Sequence, residues 1–398
     1  MNAAPFVWPS GKKLIVYHTA WSGYDRKFQV KDLPINYISD INYGFWNLVR
    51  DPKSGYYGIA TGDAWADYEK RFTGPDEGVT PPDTWNDDNK GLYGNFGQFK
   101  KLKDLGIRYN LGISIGGWSW SSHFSDAVVS PQARQFFVQS IISFLDRYPI
   151  FNRVDIDWEY ISPPGKNYGL DGNVVRGEDP HNFAEFLALL RSRLNETGRG
   201  SFEISACIAS DPVKMNVLPL QAMVAYLTTI NVMTYDLGSS SWGAAAAGHH
   251  TNLKSTPYAP LSVELAVDTL LSRGVPASKI VIGAAFYSRG FANCDGLGTP
   301  SSGVVSDRSW EDGVCDYKTL PRPGAVEYWD ENAKAGYSYD PQKRILNSYD
   351  TVQSLEEKCK YVHGKGLAGI IVWESSGDVP VNHPRSLLRA LYQGLSGL

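Results

Sequence analysis

Residues 154–160 read Val154-Asp155-Ile156-Asp157-Trp158-Glu159-Tyr160, three carboxylates at alternate positions between large apolar side chains. A strand sends successive side chains to opposite faces, so Asp155, Asp157 and Glu159 share one face and Val154, Ile156, Trp158 and Tyr160 the other. Acids about 7 Å apart along one face repel one another and lose hydration if merely buried, so the bland reading is a solvated face on an antiparallel edge strand. The opposite face argues against it. Its four apolar residues suit packing under helices, which leaves the carboxylates lining a cavity, as inside a barrel of parallel strands whose C-terminal ends hold the active site. Glu159, the last of the three, then sits nearest the open end.

Working outward, eight short apolar or aromatic runs alternate with helical patterns: Leu14–Thr19, Ile38–Asn47, Arg108–Gly117, Arg153–Tyr160, Phe202–Ser210, Ile230–Asp236, Ile280–Tyr287 and Ala368–Trp373. Eight strand–helix units predict an α/β chain closed as a (β/α)8 TIM barrel. Ser130-Pro131 caps and opens a helix over Gln132–Arg147, with Phe136, Phe137, Ile141, Ile142 and Leu145 as its apolar stripe. Further helices are predicted over His181–Leu194, Ser262–Ser272, Val352–His363 and Pro384–Gln393. Two gaps are too long for simple connections. Arg50–Gly94 is rich in Gly, Pro, Asp and aromatics. Gly290–Asn347 holds alternating runs such as Val326–Trp329 and reads as a small α+β insertion. The expected domains are therefore a barrel of residues 1–289 and 348–398 with a lobe of residues 290–347 inserted between strand 7 and helix 7, flanking a cleft.

With 38 basic and 42 acidic residues among 398, nothing in the charge balance calls for nucleic acid. No apolar run reaches the roughly 20 residues that span a membrane, and the opening Met1-Asn-Ala-Ala-Pro-Phe does not read as a signal peptide. Twelve Trp and 23 Tyr point instead to carbohydrate, since aromatic faces stack on the apolar faces of sugar rings. Cys207, Cys294, Cys315 and Cys359 have no metal-ligand spacing; Cys294 and Cys315 bracket one Gly-rich segment, and either a disulfide or two free thiols fits. His249 and His250 read as structural loop residues.

Other strand ends carry polar and aromatic groups as well: Ser114-Ile115-Gly116-Gly117-Trp118, Met233-Thr234-Tyr235-Asp236, Tyr287-Ser288-Arg289 and Trp373. In this order and spacing, with Asp155–Tyr160, they resemble the chitinase family of retaining glycoside hydrolases, family 18, from about Leu14 to Gly394. The insertion after the seventh strand, with Gly94–Lys103, resembles bacterial chitinases that carry an α+β lobe.

The resemblance implies hydrolysis of β-1,4 bonds in chitin or chito-oligosaccharides without metal or other cofactor, at an extracellular location, with no nucleic-acid or membrane partner. It also implies that the substrate's own 2-acetamido oxygen is the nucleophile. Glu159 is then the general acid and base, Asp157 holds the acetamide N–H, Asp155 shares a proton with Asp157, and Tyr235 orients the acetamide oxygen. Trp373 forms the floor of the sugar site, and Tyr160, Gly116, Gly117, Trp118, Met233, Asp236, Tyr287 and Arg289 complete nearby subsites. Tyr17, Phe45, Trp85, Trp120 and Trp242 are further cleft aromatics. The chain departs from the family pattern at Asn152 and Arg153, where Asp-Gly is usual, which implies a different buried network beneath Asp155 and a shifted pH profile. Two alternatives use the same fold: an endo-β-N-acetylglucosaminidase acting on N-linked glycans, and a non-catalytic chitin-binding lectin.

Overall fold

The computed structural model describes residues 5–84 and 92–397. Its strands are β1 (Lys13–Thr19), β2 (Asp40–Arg50), β3 (Tyr57–Thr61), β4 (Asn110–Gly116), β5 (Arg153–Asp157), β6 (Glu203–Ala209), β7 (Thr229–Met233), β8 (Ile280–Ala285), β9 (Arg289–Phe291), β10 (Val326–Asp330), β11 (Ala335–Asp340), β12 (Ile345–Tyr349) and β13 (Gly369–Trp373). One sheet runs β1-β13-β8-β7-β6-β5-β4-β2-β3, and an additional β1–β2 pairing closes eight of these strands into the TIM barrel, with β3 appended. β9 to β12 form a second, antiparallel sheet in the order β10-β11-β12-β9.

The helical signals match the observed elements closely. Ser130 Oγ accepts from the Ala133 N–H at 3.2 Å and Pro131 opens the helix Pro131–Arg147, whose Phe137, Ile141 and Leu145 are buried. Asp179–Glu196 buries Phe183, Phe186, Leu187 and Leu190, and Ser262 and Thr351 cap the helices Val263–Ser272 and Val352–Lys365. The last helix starts at Leu387 rather than Pro384, because Ser386 is its cap.

The long segment after β2 is more ordered than its composition suggests. β2 runs on to Arg50 because β3 returns against it, pairing Trp46 with Thr61 and Arg50 with Tyr57. A helical turn at Trp65–Glu69 and the helix Gly94–Asp104 follow. The sheet that begins at Arg289 extends to Tyr349, two residues past the expected end of the insertion, because Leu346, Asn347 and Ser348 pair with Phe291, Gly290 and Arg289.

The residues gather into two compact units. The first comprises Met1–Val7, Tyr17–Ile208 and Asn216–Ile230. Its core is aromatic: Phe96 meets Phe151 at 4.9 Å, Phe137 stacks on Phe186 at 4.5 Å, and Trp158 stacks on Phe124 at 5.2 Å. The second comprises Trp8–Val16, Ala209–Met215 and Asn231–Leu398. Within it Ile15, Val281, Ala285 and Ile371 pack with Tyr235 and Tyr287, and a fully buried Lys358 pairs with Asp350 at 2.8 Å.

Candidate active site

In the first unit, strand register assembles the acids. Parallel pairing sets Ser114 of β4 and Ser205 of β6 on either side of Asp155, and Gly116 beside Asp157. Asp155 is completely buried. Its Oδ2 accepts from Tyr17 Oη at 2.6 Å and Ser114 Oγ at 2.8 Å, and its Oδ1 accepts from Ser205 Oγ. Three donated hydrogens suit a carboxylate anion. Tyr17 is thus not a wall of the cleft: it is buried, and its hydroxyl supports Asp155 while lying 2.9 Å from Cys207 Sγ.

Asp157 is 4% exposed, and its Oδ1 is buried with no hydrogen-bond partner among the described residues. Burial, reinforced by the neighbouring Glu159 and Asp155, pushes its carboxyl well above the usual carboxylate range. A proton on Asp157 beside an anionic Asp155 satisfies both observations.

The expected strand over Arg153–Tyr160 stops at Asp157, so Glu159 stands in the turn beyond it. Its backbone is claimed elsewhere. The Glu159 N–H donates to Ser121 Oγ at 2.8 Å, and Asn173 Nδ2 donates to the Glu159 carbonyl at 2.9 Å. Ser121 Oγ in turn donates to the Gly117 carbonyl at 2.8 Å. Trp158 remains in the core, whereas Tyr160, expected beside it, swings out once the alternation ends and meets Trp118 edge-on at 6.4 Å.

Gly116 (φ +104°) permits this turn, since a Cβ there would lie 2.3 Å from the Asp157 carbonyl oxygen. Gly116→Ala is expected to lose about 1–3 kcal/mol of folding free energy in urea titration; an unmoved midpoint would show that the strand end relaxes freely. Gly117 (φ +77°) lies against Phe45, which is itself buried. Trp118 is 48% exposed, and Trp120 is half-buried over Gly62. Trp21, 39% exposed and 6.4 Å from Phe45, joins this aromatic group without having been anticipated.

In the second unit, the expected strands over Ile230–Asp236 and Ile280–Tyr287 end at Met233 and Ala285. The chain turns at once, with Thr234 N–H donating back to the Val232 carbonyl and Asp236 at φ +58°. Gly283 makes room for the Tyr235 ring, since a Cβ there would lie 2.7 Å from Tyr235 Cδ1. Tyr235 meets Tyr287 edge-on at 6.3 Å, and half-buried Met233 and Trp373 pack on the same cluster.

Asp236 is held by Tyr287 and Arg289. Its Oδ1 accepts from Tyr287 Oη and Arg289 Nε, both at 2.7 Å, and its Oδ2 accepts from Arg289 Nη2 at 3.0 Å. Burial alone would raise the Asp236 carboxyl, but the Arg289 guanidinium holds it well below the usual range. His250, buried, has a pKa lowered by burial; its Nδ1 accepts the Asp236 N–H at 3.2 Å while Nε2 lies 3.3 Å from the Tyr287 carbonyl, the arrangement of a neutral ring. Trp242, 54% exposed, has the Arg289 guanidinium over its face at 4.3 Å. His249, also buried, pairs with Asp330 at 3.0 Å.

Trp85 lies outside the described residues. All four cysteines are buried free thiols. Among the described residues no group of three or more His, Cys, Asp or Glu is placed to hold a metal ion, and no helix is long and apolar enough to cross a membrane. Ser121, Ser205, Cys207, Asn173 and His250 carry no motif of their own and enter the site only through register and loop geometry.

Comparison with known proteins gives consistent matches. The model of glycosyl hydrolases family 18 matches residues 13–378. Endochitinase 1 of Metarhizium robertsii is 36% identical over 91% of this chain and 81% of its own length. Chitinase 1 of Aphanocladium album is 35% identical over 97% of this chain and 86% of its own. The solved catalytic domain of the psychrophilic chitinase B from Arthrobacter TAD20 superposes with a TM-score of 0.86 at 28% identity, covering 98% of this chain and 96% of that one.

Proposed function

This chain belongs to the glycosyl hydrolases of family 18 and is a glycoside hydrolase, a chitinase, and we propose that it cleaves chitin and chito-oligosaccharides by a retaining, substrate-assisted route with Glu159 as acid and base. The observation that carries the mechanism is the contrast between two of the acids: Asp155 accepts three hydroxyl hydrogen bonds, whereas burial and its acidic neighbours push the Asp157 carboxyl well above the usual range and its Oδ1 has no hydrogen-bond partner among the described residues.

In this reading Glu159 protonates the leaving glycosidic oxygen as the 2-acetamido oxygen attacks the anomeric carbon from the opposite face. An oxazolinium ion and a shortened sugar chain result. Asp157 accepts the acetamide N–H, and its charge offsets the positive charge that develops there. The proton that Asp157 shares with Asp155 moves onto Asp155 at this moment, so that Asp157 carries the charge while Glu159 stays ionised. Glu159, now ionised, takes a proton from water, which opens the oxazolinium ring at the anomeric carbon and restores the β configuration. Tyr235 donates to the acetamide oxygen, and Trp373 offers its face to the sugar at the cleavage site. Tyr160, Gly116, Gly117, Trp118, Met233, Asp236, Tyr287 and Arg289 line further subsites, with Phe45, Trp120 and Trp242 as additional sugar contacts. Residues 290–347 act as the lobe flanking the cleft, and the insoluble polymer substrate favours an extracellular site of action.

Chitin hexasaccharide, with product lengths and initial anomer recorded, tests this. Cleavage yielding the β-anomer is expected. Release of N-glycans from a glycoprotein with no cleavage of the hexasaccharide would replace chitin as substrate, and tight binding without any hydrolysis would make the protein a lectin. Tyr235→Phe is expected to lose about 100-fold in kcat with little change in binding, because orientation of the nucleophile is lost while the ring stays. Unchanged turnover would remove Tyr235 from the mechanism.

A further inference from the structure

Arg153, where the family pattern expects glycine, is one of the largest fully buried side chains. It precedes Asp155 by two residues on β5 and so shares its face. Gly112 on β4, paired with Arg153, leaves the volume it needs: a Cβ there would come within 3.1 Å of Arg153 Cγ and Cδ. Arg153 Nη1 lies 3.1 Å from Asp40 of β2 and 2.9 Å from Glu203 of β6, and Nη2 donates to Ser205 Oγ at 3.0 Å. Asp40 is further held by Ser39 Oγ at 2.6 Å and Asn110 Nδ2 at 3.0 Å.

A guanidinium only donates, so Ser205 Oγ accepts from Arg153 and the single serine hydrogen is left for Asp155 Oδ1. We propose that Arg153 is a positioning cation for the acid pair, which through Ser205 keeps Asp155 ionised and accepting and so leaves their shared proton on Asp157. The inference rests on the roles given above to Asp155 and Asp157. The groups facing this layer are Tyr17 from β1, Asp40 from β2, Ser114 and Asn110 from β4, Asp157 and Glu159 farther along the chain of β5, and Glu203, Ser205 and Cys207 from β6. Arg153 is the cation that hydrogen-bonds within this layer, while Arg191 of the helix Asp179–Glu196 also acts on Glu203 from outside it. Arg153 pairs with both Asp40 and Glu203, the anions beneath Asp155. A cation favours the carboxylate and lowers its pKa, so losing Arg153, or the hydroxyl that relays it, raises the first ionisation of the pair.

The test compares the full chain with Arg153→Gln, Arg153→Lys, Ser205→Ala and Glu203→Gln in two readouts: carboxyl 13C NMR titration of aspartate-labelled, unliganded protein, and kcat/KM against pH on chitin hexasaccharide. Arg153→Gln and Ser205→Ala are expected to raise the first ionisation, and the acid limb of the rate profile with it, by about one pH unit. Glu203→Gln removes an anion and moves both downward, and Arg153→Lys retains the charge and keeps the limb closer to wild type than Arg153→Gln does. Should Arg153→Gln fail to fold, Ser205→Ala, which leaves the ion pairs intact, decides. Lowered melting temperatures with unmoved ionisation and unmoved limbs would make Arg153 a packing residue and overturn the proposal. The NMR readout needs no substrate. Shifted ionisation in a protein that cleaves nothing would sink the chitinase reading alone, whereas cleavage with unmoved ionisation would sink this inference alone.

Discussion

Glu159→Gln is expected to bind chito-oligosaccharides with nearly unchanged affinity and to hydrolyse them about 100- to 10,000-fold more slowly. The amide has the shape of the acid but cannot deliver a proton to the glycosidic oxygen or take one from water. The change is also clean structurally. The backbone N–H and carbonyl of Glu159, which position the residue through Ser121 and Asn173, are untouched by it. Removing the Glu159 charge also withdraws one of the influences that raise Asp157, so Asp157 is expected to titrate at lower pH in the variant. Turnover by stopped assay and binding by calorimetry check both halves. Undiminished turnover would falsify the assignment of Glu159 as the acid.

Lys358→Met is expected to lose about 3–5 kcal/mol of folding free energy, measured by chemical denaturation. Lys358 and Asp350 are both fully buried and pair at 2.8 Å, and Lys358 Nζ also donates to Thr251 Oγ1 at 2.7 Å and the Gly283 carbonyl at 3.2 Å. Asp350 in turn accepts from the Ala285 N–H at 3.0 Å. Methionine fills the space but leaves Asp350 an uncompensated buried anion, which is why the loss greatly exceeds that of a surface pair. Removing Arg308 from its exposed pair with Asp312 is expected to change stability by less than about 1 kcal/mol. A midpoint shift for Lys358→Met no larger than that of the surface variant would mean that Asp350 takes up a proton at little cost. Because Gly283 and Ala285 belong to β8, which leads into Tyr287, the variant also tests whether that strand end is held by this pair.

Much of this architecture is legible in the sequence because it depends on local patterns. Alternation put Asp155 and Asp157 on one face of β5, which ends before Glu159, and Ser130-Pro131 marked a helix start that the structure keeps. The pair Gly116-Gly117 before Trp118 stands out in the sequence, and both residues take positive φ. What could not be read depends on register between distant strands. Arg153 meets Asp40 across 113 residues and Glu203 across 50, and no spacing rule links them. The supporting role of Tyr17, 138 residues from Asp155, is hidden for the same reason, and its aromatic character invited the different reading of a sugar contact. Strand ends were drawn too long at Tyr160, Asp236 and Tyr287, because apolar alternation continues in sequence after side-chain and loop hydrogen bonds have taken over the backbone.

Arg289 has consequences for any attempt to exchange parts between relatives. Its backbone starts the antiparallel sheet by pairing with Ser348, while its side chain grips Asp236 and reaches Glu311 at 2.9 Å. A chimera spliced at residue 290 would therefore sever a joint rather than a linker, transplanting a sheet without the residue that anchors it. Workable splice points lie upstream of Tyr287 and downstream of Tyr349, and the donor must match the recipient at position 236. Cut inside those bounds, the antiparallel sheet of β9 to β12 loses the strand that begins at Arg289 and, with it, its fastening to Asp236.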